Sequence, residues 1–224
     1  MQLVEVKTNQ DKKDFLLLPL KIYKGDANWI RPLDNDINAV FDKEKNKFFR
    51  HGECTRWILK SDSGEIIGRV AAFINKKTAK KENQPTGGMG FFECIDDKVA
   101  AYKLFDCCKD WLQQRGMEAM DGPINFGERD SWWGLIVEGF TPVGYKINYN
   151  PPYYQNFFES YGFKDYFKQL FFSLNTTAPL TDKFIERHKA IKLTGEYTAC
   201  YIKNCCTCLC SKSFPAPNFA HALL

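Results

Sequence analysis

No apolar run in the sequence is long enough to cross a bilayer. The longest, such as Phe15-Leu16-Leu17-Leu18, fall far short of the ~20 residues that a spanning helix needs. The opening Met1-Gln2-Leu3-Val4-Glu5-Val6-Lys7 alternates like a strand and lacks the apolar block of a secretory signal. These absences set the expectation of a cytoplasmic chain with reduced thiols and no membrane partner. A strong charge of one sign is also missing: 31 basic residues face 27 acidic ones, a net +4 that argues against nucleic acid as a partner. Histidine is scarce, with His51, His188 and His221 the only imidazoles. No G-x-S-x-G run is present, and no nucleophile constellation is visible. Nine cysteines occur, of which Cys200, Cys205, Cys206, Cys208 and Cys210 crowd the end. Cys205 and Cys208 have C-x-x-C spacing, but the two spaced pairs of a structural zinc site are not offered clearly, so no metal is expected.

What the sequence does hold is aromatic residues: Phe 19, Tyr 10 and Trp 5. They suit a core of large side chains or an aromatic-walled ligand cleft. Strands are expected at 3–7, 54–60, 65–74 and 89–95, the middle two joined by the turn Ser61-Asp62-Ser63-Gly64. A helix is expected at 11–24, bent or split at Pro19, and a short one at 34–41. The clearest helix is 97–115, whose Val99, Leu104, Cys108, Trp111 and Leu112 form a stripe ended by Gly116. Cys54, Cys94, Cys107 and Cys108 read as small buried apolar residues. Met117 to Asp121 leads into a strand, 131–140 reads as a short helix, and 145–149 as a strand. Pro151 and Pro152 open a helix through about Ser160, and 166–174 alternates as a strand. The basic stretch from Lys76, rich in Pro and Gly toward Gly88, reads as a solvated hairpin loop. This order predicts an α/β fold with a mixed, mostly antiparallel central sheet flanked by helices on both faces.

Local sequence carries a resemblance. The run Gly68-Arg69-Val70-Ala71-Ala72-Phe73-Ile74, then Gly90-Phe91-Phe92-Glu93-Cys94, then the long helix ending Arg115-Gly116-Met117, resembles the central strands and crossover helix of the GNAT (GCN5-related N-acetyltransferase) superfamily. Asn150-Pro151-Pro152-Tyr153-Tyr154 through Tyr161-Gly162-Phe163 resembles its late helix and following strand. Gly122-Pro123-Ile124-Asn125 and Gly134 to Phe140 are similar to a bacterial subgroup of larger GNAT-like proteins. The resemblance covers residues 1–175. It implies an acyl-CoA N-acyltransferase-like fold, with acetyl-CoA or another acyl-CoA as donor and a small-molecule or peptide amine as acceptor. It implies donor binding at Phe92, Cys94, Lys98, Val99, Ala100 and Ala101, acceptor binding at Asn125, Asn150 and Tyr154, and catalysis by Glu93 as base and Tyr153 as acid.

Two features depart from the family pattern. Its phosphate loop, Q/R-x-x-G-x-G/A, is replaced by Asp96-Asp97-Lys98-Val99-Ala100-Ala101, with only Ala101 matching. Where a tyrosine often stands four residues before the Gly of Gly-Phe, this chain has Phe158. Glu93 also reads as a strand residue facing solvent or a lysine, and Tyr153 and Tyr154 as packing groups. The two functional readings are therefore an enzyme and a non-catalytic, degenerate GNAT-like module. Residues 176–198 read as the helical start of a missing second half. Residues 199–224 read as an irregular cysteine-rich tail, either native or the mark of a chain cut short.

Overall fold

A computed structural model describes residues 1–81, 84–172, 175 and 177–195. The cysteine-rich stretch 199–224 lies outside them. The chain divides into two units, Met1–Phe167 and Lys168–Leu224.

The first unit is built on a five-stranded sheet in sequential order β1 to β5. β1 (Gln2–Glu5), β2 (Gly52–Lys60), β3 (Ile66–Asn75) and β4 (Thr86–Cys94) run antiparallel to their neighbours, and β5 (Ala119–Asp121) runs parallel to β4. The sheet is thus mixed and mostly antiparallel, as the sequence predicts. β3 is buried from Ile67 to Ile74, because helices cover both faces. On one face lie α3 (Lys98–Gln113) and α4 (Tyr153–Tyr161), with Leu104, Phe105, Tyr154, Phe157 and Phe158 packed on Val70, Met89 and Phe92. On the other face α1 (Asn9–Ile22) and α2 (Asp34–Val40) bring Phe15, Ile37 and Val40 against Ile58 and Phe73. A 3-10 turn, Lys47–Arg50, precedes β2.

α1 begins in a capping box formed by Thr8 and Asp11. It runs as one helix past Pro19, so the expected split does not occur. Proline has no N–H, and the carbonyl of Phe15, four residues earlier, therefore loses its helical partner. The Arg69 guanidinium replaces it, Nη1 donating to the Phe15 oxygen at 2.6 Å.

β4 carries a bulge. Arg69 pairs with Glu93 and Ala71 with Gly90, so Phe91 and Phe92 together face Val70. Phe91 takes φ 50, a left-handed conformation uncommon for a bulky residue. Pairing between β4 and β5 ends just before this bulge. At Gly90 the neighbouring segment comes so near that a Cβ would lie 1.8 Å from the Ile124 oxygen.

Three sequence expectations fail among the described residues. No helix forms at 131–140, and no strand at 145–149 or over the described part of 166–174. In the loop, side-chain amides do the pairing that a regular backbone would do. Asn150 Oδ1 accepts from the Ile136 N–H at 2.7 Å, and its Nδ2 donates to the Ile136 oxygen at 3.0 Å. Asn148 Nδ2 donates to the Gly134 oxygen at 2.8 Å. Period-counting does not register amides used in this way.

The second unit, described by itself, contains α5 (Asp182–Thr194), closed by Gly195 at φ 67. Phe184, Ile185 and Ile191 on this helix are exposed.

Candidate functional site

The bulge, α1 and α4 converge on Glu93. Its carboxylate is 8% exposed and fully partnered. Oε2 accepts from the Tyr23 hydroxyl at 2.8 Å and from the Tyr154 hydroxyl at 2.9 Å. Oε1 lies 3.4 Å from Arg69 Nη2. Each partner has a local cause. Tyr23 caps α1, its N–H bonded to the Pro19 oxygen at 2.9 Å, and its ring stacks on Trp29 at 4.8 Å. Tyr154 stands in the first turn of α4. Arg69 is drawn in by the carbonyl that Pro19 leaves free.

Burial raises the Glu93 carboxyl above its ordinary value, against the lowering effect of Arg69 and the two hydroxyls. The same burial, reinforced by the charge of Glu93, raises the Tyr23 and Tyr154 hydroxyls well above theirs. Arg69 is lowered by burial, with Glu93 opposing. All four groups are therefore held in a low-dielectric setting, where a proton shared between carboxylate and phenol is strongly coupled.

Three members of this cluster, Arg69, Glu93 and Tyr154, line an open cleft. Its walls mix apolar side chains, Trp29, Ile37, Phe91 and Trp132 among them, with the charged and polar Arg31, Asp34 and Asn148. Of the residues named from the sequence, Phe92, Glu93, Asn150 and Tyr154 line the cleft. The Asn150 amide is committed to Ile136, and its Nδ2 also reaches the Pro151 oxygen at 3.0 Å. Asn125 is buried, and its Oδ1 has no hydrogen-bond partner. The Tyr153 hydroxyl is separate from the Glu93 carboxylate and donates to the Cys94 carbonyl at 2.9 Å.

Sequence reasoning missed Tyr23 and Arg69. A signal for Arg69 existed: a lone cation inside an apolar strand covered on both faces must have an anionic partner nearby. Tyr23 offered none, since a tyrosine at a helix end is ordinary.

The acyl-CoA implied by the resemblance fits this end of the molecule only in part. Strand pairing between β4 and β5 stops at Gly88 and Asp121, which leaves Phe91 to Cys94 without a paired strand on that side. The Cys94 N–H, however, is already bonded to the Tyr154 oxygen at 2.7 Å. At the start of α3 the Asp97 carboxylate accepts from the N–H groups of Val99 and Ala100 at 2.8 and 3.2 Å. Ala100 and Ala101 are fully buried and Val99 is exposed. Lys98 Nζ sits 5.3 Å from the Tyr102 ring centroid. The helix end that would bind phosphate thus holds a carboxylate of its own. A nucleoside pyrophosphate does not fit this turn as it stands. Among the described residues no cluster of His, Cys, Asp and Glu is arranged to hold a metal, and no helix is long and apolar enough to cross a membrane.

The fold is thus a mixed sheet with a bulged fourth strand and a buried carboxylate at the bulge, the α/β class expected from the sequence. No family model matches the chain. It is 32% identical over 155 residues to a bacterial ceramide synthase of Caulobacter vibrioides, covering 68% of this chain and 40% of that protein. It is 30% identical over 154 residues to protein YghO of Escherichia coli, covering 68% and 39%. The chain therefore spans about two fifths of the length of these relatives. Among solved structures it is similar to a GNAT-family acetyltransferase from Staphylococcus aureus, at 13% identity and a TM-score of 0.37, covering 53% of this chain and 69% of that one.

Proposed function

We propose that the chain carries the acceptor side of an N-acyltransferase, which moves an acyl group from a thioester donor, acetyl-CoA or a longer acyl-CoA, to an amine. The observation that supports this reading is Glu93: a buried carboxylate of raised proton affinity, bonded to two tyrosines and lining a cleft. The amine nitrogen attacks the thioester carbonyl carbon, and the C–S bond breaks from the tetrahedral adduct. Glu93 takes the proton released by nitrogen. The Tyr154 hydroxyl protonates the departing sulfur and recovers a proton from Glu93 through their 2.9 Å bond. Tyr154 takes the acid role expected of Tyr153 because it is the tyrosine of the pair that touches the carboxylate.

The acceptor is a long-chain amine. A ceramide is an N-acylated long-chain amino alcohol, and the relative named for making one is 32% identical to this chain. The apolar side chains on the lining, Leu16, Trp29, Ile37 and Ile147 among them, offer contacts to an alkyl tail, and Ile30, 58% exposed, adds apolar surface. Incubation of the chain with palmitoyl-CoA and a long-chain amino alcohol, followed by mass spectrometry, should show the amide and free CoA. Glu93→Gln should slow this about 100-fold or more. No amide with either acetyl or long-chain donor overturns the reading.

A second reading rests on the Asp97 cap and the Tyr154 bond to Cys94: a non-catalytic module whose donor groove is filled by its own side chains. Calorimetric titration with acyl-CoA separates the two, since this module gives no heat.

A further inference from the structure

The structure places two basic stretches side by side at the end of the sheet away from Glu93. The segment leading into β2 holds Lys43, Lys45, Lys47 and Arg50, and the segment leaving β3 holds Lys76, Lys77, Lys80 and Lys81. The hairpin joins them. Gly52 pairs with Asn75, and the Lys76 N–H donates to the His51 oxygen at 2.8 Å. All eight cations are exposed. Over residues 42–53 and 75–82 the sequence sets four carboxylates, Asp42, Glu44, Glu53 and Glu82, against these eight, a surplus of four. Two of these carboxylates are already engaged, Asp42 with Lys45 at 3.8 Å and Glu53 with Arg115 at 3.1 Å. Among the described residues no acid pairs with the other seven cations.

We infer that this end docks on an anionic phospholipid surface. Clustered cations of this number gain about 1 kcal/mol each near such a surface. Seven of the eight are lysines, hydrated point charges that suit a fluid headgroup layer, whereas nucleic-acid recognition favours the planar fork of arginine. No aromatic ring in the patch is free to stack on a base: Phe48 and Phe49 are half-buried, edge-on to Phe126 at 6.0 and 4.9 Å. Such docking would set the entry to β2 and the exit from β3 against the headgroups, with Glu93 toward the other end of the sheet. It revises two expectations from sequence, that the lysine-rich loop is merely solvated and that the chain has no membrane partner. The inference goes beyond acyl transfer, and its readout needs no turnover.

The test is co-sedimentation of the full chain with vesicles of phosphatidylcholine, with and without phosphatidylglycerol. Binding is expected only with the anionic lipid and should fall steeply as salt is raised. Reversing Lys76, Lys77 and Lys80 to Glu should weaken it by about tenfold or more. Reversing three exposed lysines elsewhere, Lys12, Lys13 and Lys109, should leave it within about twofold by the same rule, with both variants melting as the parent does. Equal binding to the neutral vesicles overturns the inference, as does equal weakening by the two triple variants. Tighter binding to duplex RNA or DNA than to the anionic vesicles at the same salt overturns it too.

Discussion

Arg69 is buried and held by two acceptors: the Phe15 carbonyl at 2.6 Å and the Glu93 carboxylate at 3.4 Å, with the Phe15 ring 4.7 Å from its centre. Replacing it with methionine fills similar space but leaves an unpaired buried carboxylate and an open helix carbonyl. That change should cost about 3–5 kcal/mol in urea denaturation. A loss below about 1 kcal/mol, the size of an exposed ion pair, would show that the pair is not shielded. Tyr23 gives the complementary test. Glu93 must be charged to accept a proton, and burial raises its proton affinity, so the acid limb of a pH–rate profile should lie above the ordinary glutamate value of ~4.3. The Tyr23 hydrogen bond favours the charged form. Tyr23→Phe should therefore move that limb to higher pH, with the largest loss of kcat/KM on the acid side. A limb that stays in place would remove Glu93 from the role of base.

Among the elements, α1 and α3 have each adapted an end or an interior to this site. Pro19 ordinarily costs a helix interior ~3 kcal/mol relative to alanine. Here the orphaned carbonyl is already satisfied by Arg69, so Pro19→Ala should change stability by less than about 1.5 kcal/mol in thermal or urea melts, a fraction of that figure. A full gain would mean that the arginine bond contributes nothing. At α3, Asp97→Asn keeps the cap but removes the charge. Stability should stay within about 0.5 kcal/mol, while acyl-CoA measured by calorimetry should bind about threefold tighter. An unchanged affinity would place the donor away from this helix. Most of these elements are legible in the sequence. The apolar stripe of α3, the Ser61–Gly64 turn and the double proline before α4 each leave a local mark. The site is less legible, because its decisive bond joins Arg69 to the Phe15 carbonyl across 54 positions, through the N–H that Pro19 lacks. The same holds for residues 131–150, where Asn148 and Asn150 replace a strand's backbone partners and leave no period to count.

For the molecule as a whole, the aromatic wealth of the sequence goes mainly into packing, with some rings on the lining of the cleft. Phe105 ties α3 to β4 and α4, its ring 4.8 Å from those of Phe92 and Phe158, while Phe91 and Trp132 wall the cleft. Of the cysteines, Cys94 and Cys108 are 0% exposed, the latter beneath α3 with Sγ 3.9 Å from the Ala71 oxygen. Burial raises the Cys107 thiol to about 12 and those of Cys54, Cys94 and Cys108 as well. Because the thiolate is the reacting form, alkylation in native buffer should leave Cys94 and Cys108 unmodified in peptide maps, and denaturant should expose both together. Rapid native labelling at Cys108 would contradict the packing under α3. These two sulfurs therefore form an internal clock. The rate at which they take up label reports how often the sheet parts from its covering helix, so the lifetime of the closed core can be followed without any knowledge of the reaction it supports.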